Sequence, residues 1–435
     1  MDALASLPAD VLVAILVRLP VRSIARCRKV CRAWRSAISH PSFDIAYAQR
    51  PAAVVKLTTN ELFGFDVEYG GAGVLPKIFA TTSVAFELFR GRWHRDNVHI
   101  NPPSTRALIF GRTRSSVRGS WDGVVCIELF SHTAEWSLVP LPPRYGHADQ
   151  YVLWNPVTMA CAAISPPAGG GEIMGAYSHP STRRFHLVHA SGETVGGHLM
   201  ASTSFRILRV GDAVWREIPL KEEISMAGHY ARCVSLHGSL HWLVLWGSES
   251  KLRLLVFDTI REKFRLMQAP APPRLREGAA EDVLTMARLG VLSGGKLCTF
   301  IVEPWTSSME VWVLEDYEAA ALSSWRLKER ISLVLWNRSD LSRTFCIATD
   351  VEVVEGVRDG EEIFIRHSNR MVGGGGSRID AYNLGRKEWH MVNVSQSART
   401  VMHRESILQP EVSFGGAARA LSHKIDKNGH KCYYL

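Results

Sequence analysis

The residue groups nearest to a chemical function fall short of it on their own spacing. Gly290, Gly295 and Lys296 sit as in a phosphate-cradling loop. That loop needs a hydroxyl after its lysine to hold magnesium, and a helix N-terminus to supply amides and dipole. Here Leu297 follows, and Cys298 to Val302 continue as a strand, so the segment reads as a β-hairpin. His179, His186 and His189 invite a zinc reading, but Phe185–His189 looks like strand, where residues three apart point to opposite faces. These are read as structural or exposed histidines. His237 and His241 flank Gly238-Ser239, which reads as a tight turn. Gly119-Ser120-Trp121-Asp122-Gly123 misplaces the serine of a nucleophile elbow, and the acid pairs Glu281-Asp282 and Glu361-Glu362 lie in loop-like contexts. No constellation supports an enzyme, and neither a cofactor nor a metal is expected.

The elements that would position such residues follow from composition and pattern. The chain has 435 residues, 46% hydrophobic and 21% charged, with a net charge of +9. That excludes a disordered or collagen-like protein and is long for one core. No apolar run reaches membrane-spanning length, so no membrane association is expected. Met1-Asp2-Ala3 carries no basic region, and the apolar run after it holds Pro8 and Asp10, unlike a secretion signal. Eight cysteines without a Cys-x-x-Cys pair read as reduced thiols, and the expected location is nucleus or cytoplasm. Charge is uneven: residues 1–50 carry eight basic side chains against Asp2, Asp10 and Asp44. This asymmetry predicts an acidic partner for that segment.

Residues 7–19 read as a helix, with Pro8 in its first turn and Asp10 at the positive end of its dipole. Val11, Leu12, Ile15, Leu16 and Leu19 form one apolar arc, and Val13 and Val17 extend it to the other side, so burial on more than one face is expected. Pro20 ends the helix. A second helical stretch runs from Val21 to about Ser39, with Ile24, Cys27, Cys31, Trp34 and Ile38 at steps of three and four. By pattern it could be a short coiled coil, a basic DNA-reading helix, a partner-bound target helix or a packed hairpin with a solvated basic face. Forty helical residues bury too little to stand alone.

From Ala53 onward, short Val, Ile, Leu, Trp and Phe runs alternate with Gly, Pro, Asn and Asp, the pattern of an all-β protein. Pro166–Gly171, Ala269–Pro273 and Gly373–Gly376 read as loops or hairpin tips, not as linkers between domains. A weak repeat runs through this region. An apolar strand ends at Asp258 or Asn383, and an aromatic, Phe264 or Trp389, returns six residues later. The expected geometry is a hairpin whose Asx side chain caps the turn. Trp154-Asn155, Asp212 with Trp215, and Asp316 with Trp325 look like looser copies. Their spacing suits four-stranded blades with long insertions. Trp154, Trp215, Trp242, Trp312, Trp325 and Trp389 fall where a blade core wants aromatics, which counts against nucleic-acid binding.

The residues of the first segment closely resemble the F-box motif. The matching pieces are Leu7-Pro8-Ala9-Asp10-Val11-Leu12, Ile15-Leu16 with Leu19-Pro20, Arg26-Cys27-Arg28 with Val30-Cys31-Arg32 and Trp34-Arg35, then Ile38-Ser39 with Pro41 and Phe43. The resemblance spans residues 4–44 and implies a three-helix module, with a break near Val30–Cys31, that docks onto a Skp-type adaptor. It assigns adaptor binding to Leu7, Pro8, Val11, Leu12, Ile15, Leu16, Leu19, Pro20, Cys27, Val30, Cys31 and Trp34. Some of these must also hold the helices together, and the pattern alone does not separate the two roles.

Gly119–Cys126, Leu153–Thr158, Leu236–Leu243, Val256–Asp258 and Met309–Leu314 resemble, in that order, the F-box-associated domains of plant proteins. The resemblance implies a kelch-like β-propeller that captures substrates. The expected fold class is therefore α+β multidomain, a small three-helix F-box followed by an all-β, propeller-like body. Its boundaries are residues 1–48 for the F-box, 53–400 for the body and 401–435 for an unassigned tail. The implied function is substrate recognition in a Skp–cullin–F-box ubiquitin ligase, with the adaptor, through it cullin, and a target protein as partners, and with no catalysis of its own. A non-degradative scaffold, and a propeller lectin or enzyme, are the alternatives.

Overall fold

Pro8 opens the helical region as the N-cap of α1 (Ala9–Val17), one position earlier than the first-turn site expected of it, and its carbonyl accepts from Leu12 N–H at 3.0 Å. The structure is a computed structural model. It describes residues 8–19, 21–48, 53–68, 75–88, 106–110, 113–131, 148–156, 158–192, 194–195, 198–199, 204–220, 224–226, 233–247, 251–270, 287–292, 295–303, 308–318, 324–333, 347–354, 362–368, 377–392, 398–403, 413–419, 422–425 and 431–434.

The stretch after Pro20 is not one helix. It divides into α2 (Val21–Cys27) and α3 (Arg32–Ser39), with α4 (Pro41–Ala48) following. The break lies where the F-box resemblance implied it, and the continuous helix read from periodicity is corrected. Lys29 and Val30 close a tight turn onto Arg26 and Cys27, and Cys31 is extended at φ −155°. Ile24 and Cys27 thus stay in one small core while Ile38 is brought to it by a separate helix. The implied three helices are four segments, because His40 and Pro41 interrupt the last of them. Proline cannot donate the N–H a continuing helix would need, and it restricts the residue before it.

The apolar runs read as strands from residue type, among them Val124–Leu129, Leu240–Leu245 and Lys296–Val302, fall within strands; Phe205–Val210 overruns its strand, which ends at Arg209. Among the described residues the strands form six larger sheets, antiparallel but for one pairing. Sheet A orders Ala398–His403, Ala53–Glu68, Leu75–Leu88, Arg106–Phe110, Lys431–Tyr434 and Ser422–Ile425; its one parallel pairing joins Arg106–Phe110 to Lys431–Tyr434. Sheet B is the meander Thr113–Trp121, Val124–Ser131, Gln150–Asn155 and Ala160–Ile164, with Ala418–Arg419 added at the edge. Sheet C holds Glu172–Ser178, Phe185–Ser191, Ser204–Arg209 and Arg216–Ile218. Sheet D has Ile224–Ser225 and Val234–Leu236 on one side of Ser239–Trp246, then Lys251–Asp258 and Lys263–Gln268. Sheet E is Ala287–Leu292, Lys296–Glu303, Ser308–Leu314 and Trp325–Ser332; sheet F is Ile347–Val354, Glu362–Ser368, Ser377–Asn383 and Glu388–Val392.

The chain divides into two compact units. One holds residues 1–132, 149–165 and 401–435, the other 133–148 and 166–400. Pro166–Gly171, read as a loop and not as a linker, is corrected: it lies where the chain leaves the first unit for the second. The residues beyond 400, unassigned from sequence, supply strands to sheets A and B.

Within the second unit, three apolar cores lie between successive sheets. Met174, Phe205 and Trp242 fill the one between C and D, Leu254, Leu289 and Trp325 that between D and E, and Phe300, Val311 and Ile365 that between E and F. Sheets apolar on both faces must be covered on both, which is what stacking one meander on the next achieves. Trp242 Nε1 donates to Met174 O at 2.9 Å and Trp325 Nε1 to Gln268 O at 3.1 Å, so buried indoles tie neighbouring sheets through their one polar atom.

The repeat is visible in these sheets. Trp215 directly precedes the fourth strand of sheet C, Trp325 begins that of sheet E, and Phe264 and Trp389 are second in those of D and F. Asp258 Oδ1 accepts from Ile260 N and Arg261 N at 2.9 and 2.8 Å, Asn383 Oδ1 from Arg386 N at 2.8 Å, and Asn155 Oδ1 from Thr158 N at 3.1 Å. In each turn the residue four places after the Asx has positive φ: Met159 at 60°, Glu262 at 51° and Lys387 at 57°.

Candidate functional site

Among the described residues, the helical segment carries apolar surface beyond what its own core uses. Leu12 and Leu16 on α1, Ile24 and Cys27 on α2, Ile38 on α3, and Phe43 and Tyr47 on α4 are buried together. The opposite side of α1 presents Val11 and Ile15, one turn apart, at 40% and 44% exposure. Val30, at the α2–α3 turn, is 62% exposed. Arg18, Arg26, Lys29, Arg32 and Arg35 are exposed as well, and Arg35 Nε donates to Arg28 O at 3.1 Å, holding α3 to the end of α2.

The twelve residues assigned from the motif therefore separate. Pro8, Val11, Ile15 and Val30 are exposed; Leu19, Cys31 and Trp34 are half-buried, with Leu19 and Trp34 packed on the helical core; Leu12, Leu16 and Cys27 lie within it. Leu7 and Pro20 are outside the described residues. His40, which the pattern did not single out, caps α4: its Nδ1 accepts from Ser42 N–H at 3.3 Å, and Phe43 N–H donates to His40 O at 3.0 Å.

The segments weighed for chemistry that lie among the described residues have other roles; Glu281, Asp282 and Glu361 lie outside them. Ala287–Leu292 and Lys296–Glu303 form the expected antiparallel hairpin, and Lys296 Nζ is paired with Glu315. His237 and Gly238, at φ 49° and 69°, make the tight turn joining Leu236 to Ser239; Asp122 and Gly123, at 45° and 81°, do the same in sheet B. His186 stacks on Tyr177 at 5.0 Å between ring centroids, and His189 meets Trp215 edge-on at 5.4 Å. His179 lies in the Ser178-to-Phe185 turn, its ring 5.5 Å from that of His186. Among the described residues no group of three His, Cys, Asp or Glu could hold a metal.

Two polar clusters missed at the sequence level occupy the seams around sheet D. In one, Tyr177 Oη donates to Glu262 Oε1 at 3.3 Å while Arg216 pairs with the other carboxylate oxygen. Burial first, and Glu262 second, raise the phenol far above its ordinary range. In the other, His241 Nδ1–H donates to Val234 O at 3.2 Å, so Nε2 is left to accept from Tyr317 Oη at 2.7 Å, and Arg265 Nη2 donates to the same phenol oxygen at 3.3 Å. Burial holds the His241 imidazole down at about 4. Both clusters join residues far apart in sequence, so only the fold reveals them.

The comparisons agree with this organisation. A family model described as F-box associated beta propeller domain matches residues 145–373, and one described as F-box-like matches residues 4–44. In Arabidopsis thaliana, F-box protein At5g49610 is 22% identical over 75% of this chain and 79% of its own length. F-box protein At3g22700 is 22% identical over 74% and 85%, and Probable F-box protein At5g47300 21% identical over 74% and 68%. An α-L-arabinofuranosidase structure from Lactobacillus brevis overlaps at a TM-score of 0.35 and 12% identity, covering 64% of this chain and 96% of that one, a level that carries no argument. An N-terminal helical module followed by antiparallel sheets defines the class. The chain belongs to the plant F-box proteins that carry an F-box-associated domain.

Proposed function

We propose that this protein is the substrate-recognition subunit of a Skp–cullin–F-box ubiquitin ligase, acting in the nucleus or cytoplasm. The observation that carries the reading is the division of α1, whose Leu12 and Leu16 fill the helical core while Val11 and Ile15 remain open to a partner. Apolar side chains of this size supply most of the energy of an interface once a partner covers them. The exposed arginines of α2 and α3 would raise the association rate with an acidic adaptor more than the affinity. The β body holds the target protein, and ubiquitin transfer proceeds by proximity on other subunits, which asks no catalytic residue of this chain. The family's general role as ubiquitin-ligase adaptor subunits supports this.

The test is co-purification of the full chain with a Skp-type adaptor, beside a Val11→Asp/Ile15→Asp variant whose helical circular dichroism is unchanged. Binding by the wild type and loss in the variant are expected. Equal binding by both would remove the interface assignment, and no binding by the folded wild type would remove the ligase reading.

A further inference from the structure

The turn after Glu172–Ser178 repeats the geometry of the Asx-capped turns, with a histidine in the capping place. His179 Nδ1 accepts from Ser181 N–H at 3.2 Å and Thr182 N–H at 3.3 Å. Arg183 N–H donates to His179 O at 2.7 Å, and Arg183 has positive φ, 58°. The Asp258 turn has the same contacts at the same offsets: Ile260 N–H and Arg261 N–H to Oδ1, Glu262 N–H to Asp258 O at 2.8 Å, and positive φ at Glu262.

A backbone amide only donates, so these contacts fix His179 as the tautomer with its proton on Nε2 and an open lone pair on Nδ1. A second proton would occupy that lone pair and turn both amides from partners into opposed donors. A carboxylate or carboxamide cap keeps its acceptor throughout the range where histidine changes charge, about pH 5 to 8. The ring facing His179 is His186, whose basicity burial lowers and whose Nδ1–H donates to Arg184 O at 3.0 Å. Around His186 lie Tyr177 stacked on it, Glu262 raising its basicity, and Arg209 lowering it. Arg216 is held by Glu262.

We infer that the His179 turn is a proton-sensitive cap: closed while the imidazole is neutral, and loosened on acidification while the Asp258 turn stays closed. Replacing a cap changes local stability by an amount equivalent to about threefold to tenfold in the opening equilibrium.

Hydrogen–deuterium exchange on the full chain, corrected for intrinsic rates and compared at pH 7.5 and 5.5, reads this directly. In the wild type, protection of the Ser181, Thr182 and Arg183 amides should fall about threefold to tenfold at the lower pH relative to those of Ile260, Arg261 and Glu262. His179→Asn should keep protection at both pH values, and His179→Ala should lose it at both. An unchanged ratio in the wild type would overturn the inference. So would an equal fall in His179→Asn, since that would place the titrating group elsewhere.

Discussion

Leu16 and Ile15 are neighbours in sequence and both belong to the F-box motif, yet one is fully buried and the other 44% exposed. Leu16→Ala should therefore cost about 2–5 kcal/mol of helical stability, while Ile15→Ala should stay within about 0.5 kcal/mol. Urea unfolding followed at 222 nm checks this, because the helical signal comes largely from α1–α4. A second residue-level expectation concerns acid. His241 is held at about 4, below an ordinary imidazole near 6.5. Between those values the unfolded chain binds a proton that the folded chain refuses, so stability is complete above about pH 6.5 and falls as pH drops toward 4. The loss totals roughly 3 kcal/mol, and the pH slope of the melting temperature over this window should be shallower in His241→Gln. The motif told which residues matter near the N-terminus but not which way they face. Orientation depends on where α2 and α3 part, and that break follows from a shared core, not from periodicity.

At the scale of elements, the Asx turns were legible in the sequence because aspartate and asparagine are the usual caps and the aromatic returns at a fixed interval. His179 was not, since nothing local marks an imidazole as a turn acceptor; the signal lies in the strand before it and the positive φ four residues on. The repeat also makes a graded prediction. Asp258 accepts amide bonds from Ile260 and Arg261 and its carboxyl is lowered chiefly by the Arg261 amide, whereas the Asn383 carboxamide accepts from Arg386. Asp258→Ala should then destabilise by about 1–2 kcal/mol and Asn383→Ala by about 0.5–1 kcal/mol. Chemical denaturation of the two variants decides the order. The turn read at Gly238-Ser239 lies one residue earlier, at His237-Gly238, and the one at Asp122-Gly123 was not anticipated; both have positive φ at two successive positions, which a tight hairpin turn needs. The Tyr177–Glu262–Arg216 and His241–Tyr317–Arg265 clusters were not legible, because each joins strands from different sheets.

For the whole molecule, sequence texture marked a helical segment and a β body but left the end of the chain unassigned. Residues after 400 look unlike the repeats that precede them, and short strands with few apolar residues give little periodic signal. Their place comes from long-range pairing. Lys431–Tyr434 runs parallel to Arg106–Phe110, Ala418–Arg419 extends sheet B along Ala160–Ile164, and the His403 ring shares a 2.8 Å hydrogen bond with Ser120. Pairing strands separated by some three hundred residues carries a large loop-closure cost, so it is expected to form late and to stabilise the finished unit more than it speeds folding. A chain ending at residue 400 should therefore keep sheets C to F, which lie in the other unit, while sheets A and B lose strands and leave edges exposed. Limited proteolysis of that truncation should cut first within residues 53–165 and leave 166–400 resistant. Equal resistance of both regions would mean that the C-terminal strands contribute nothing to the first unit.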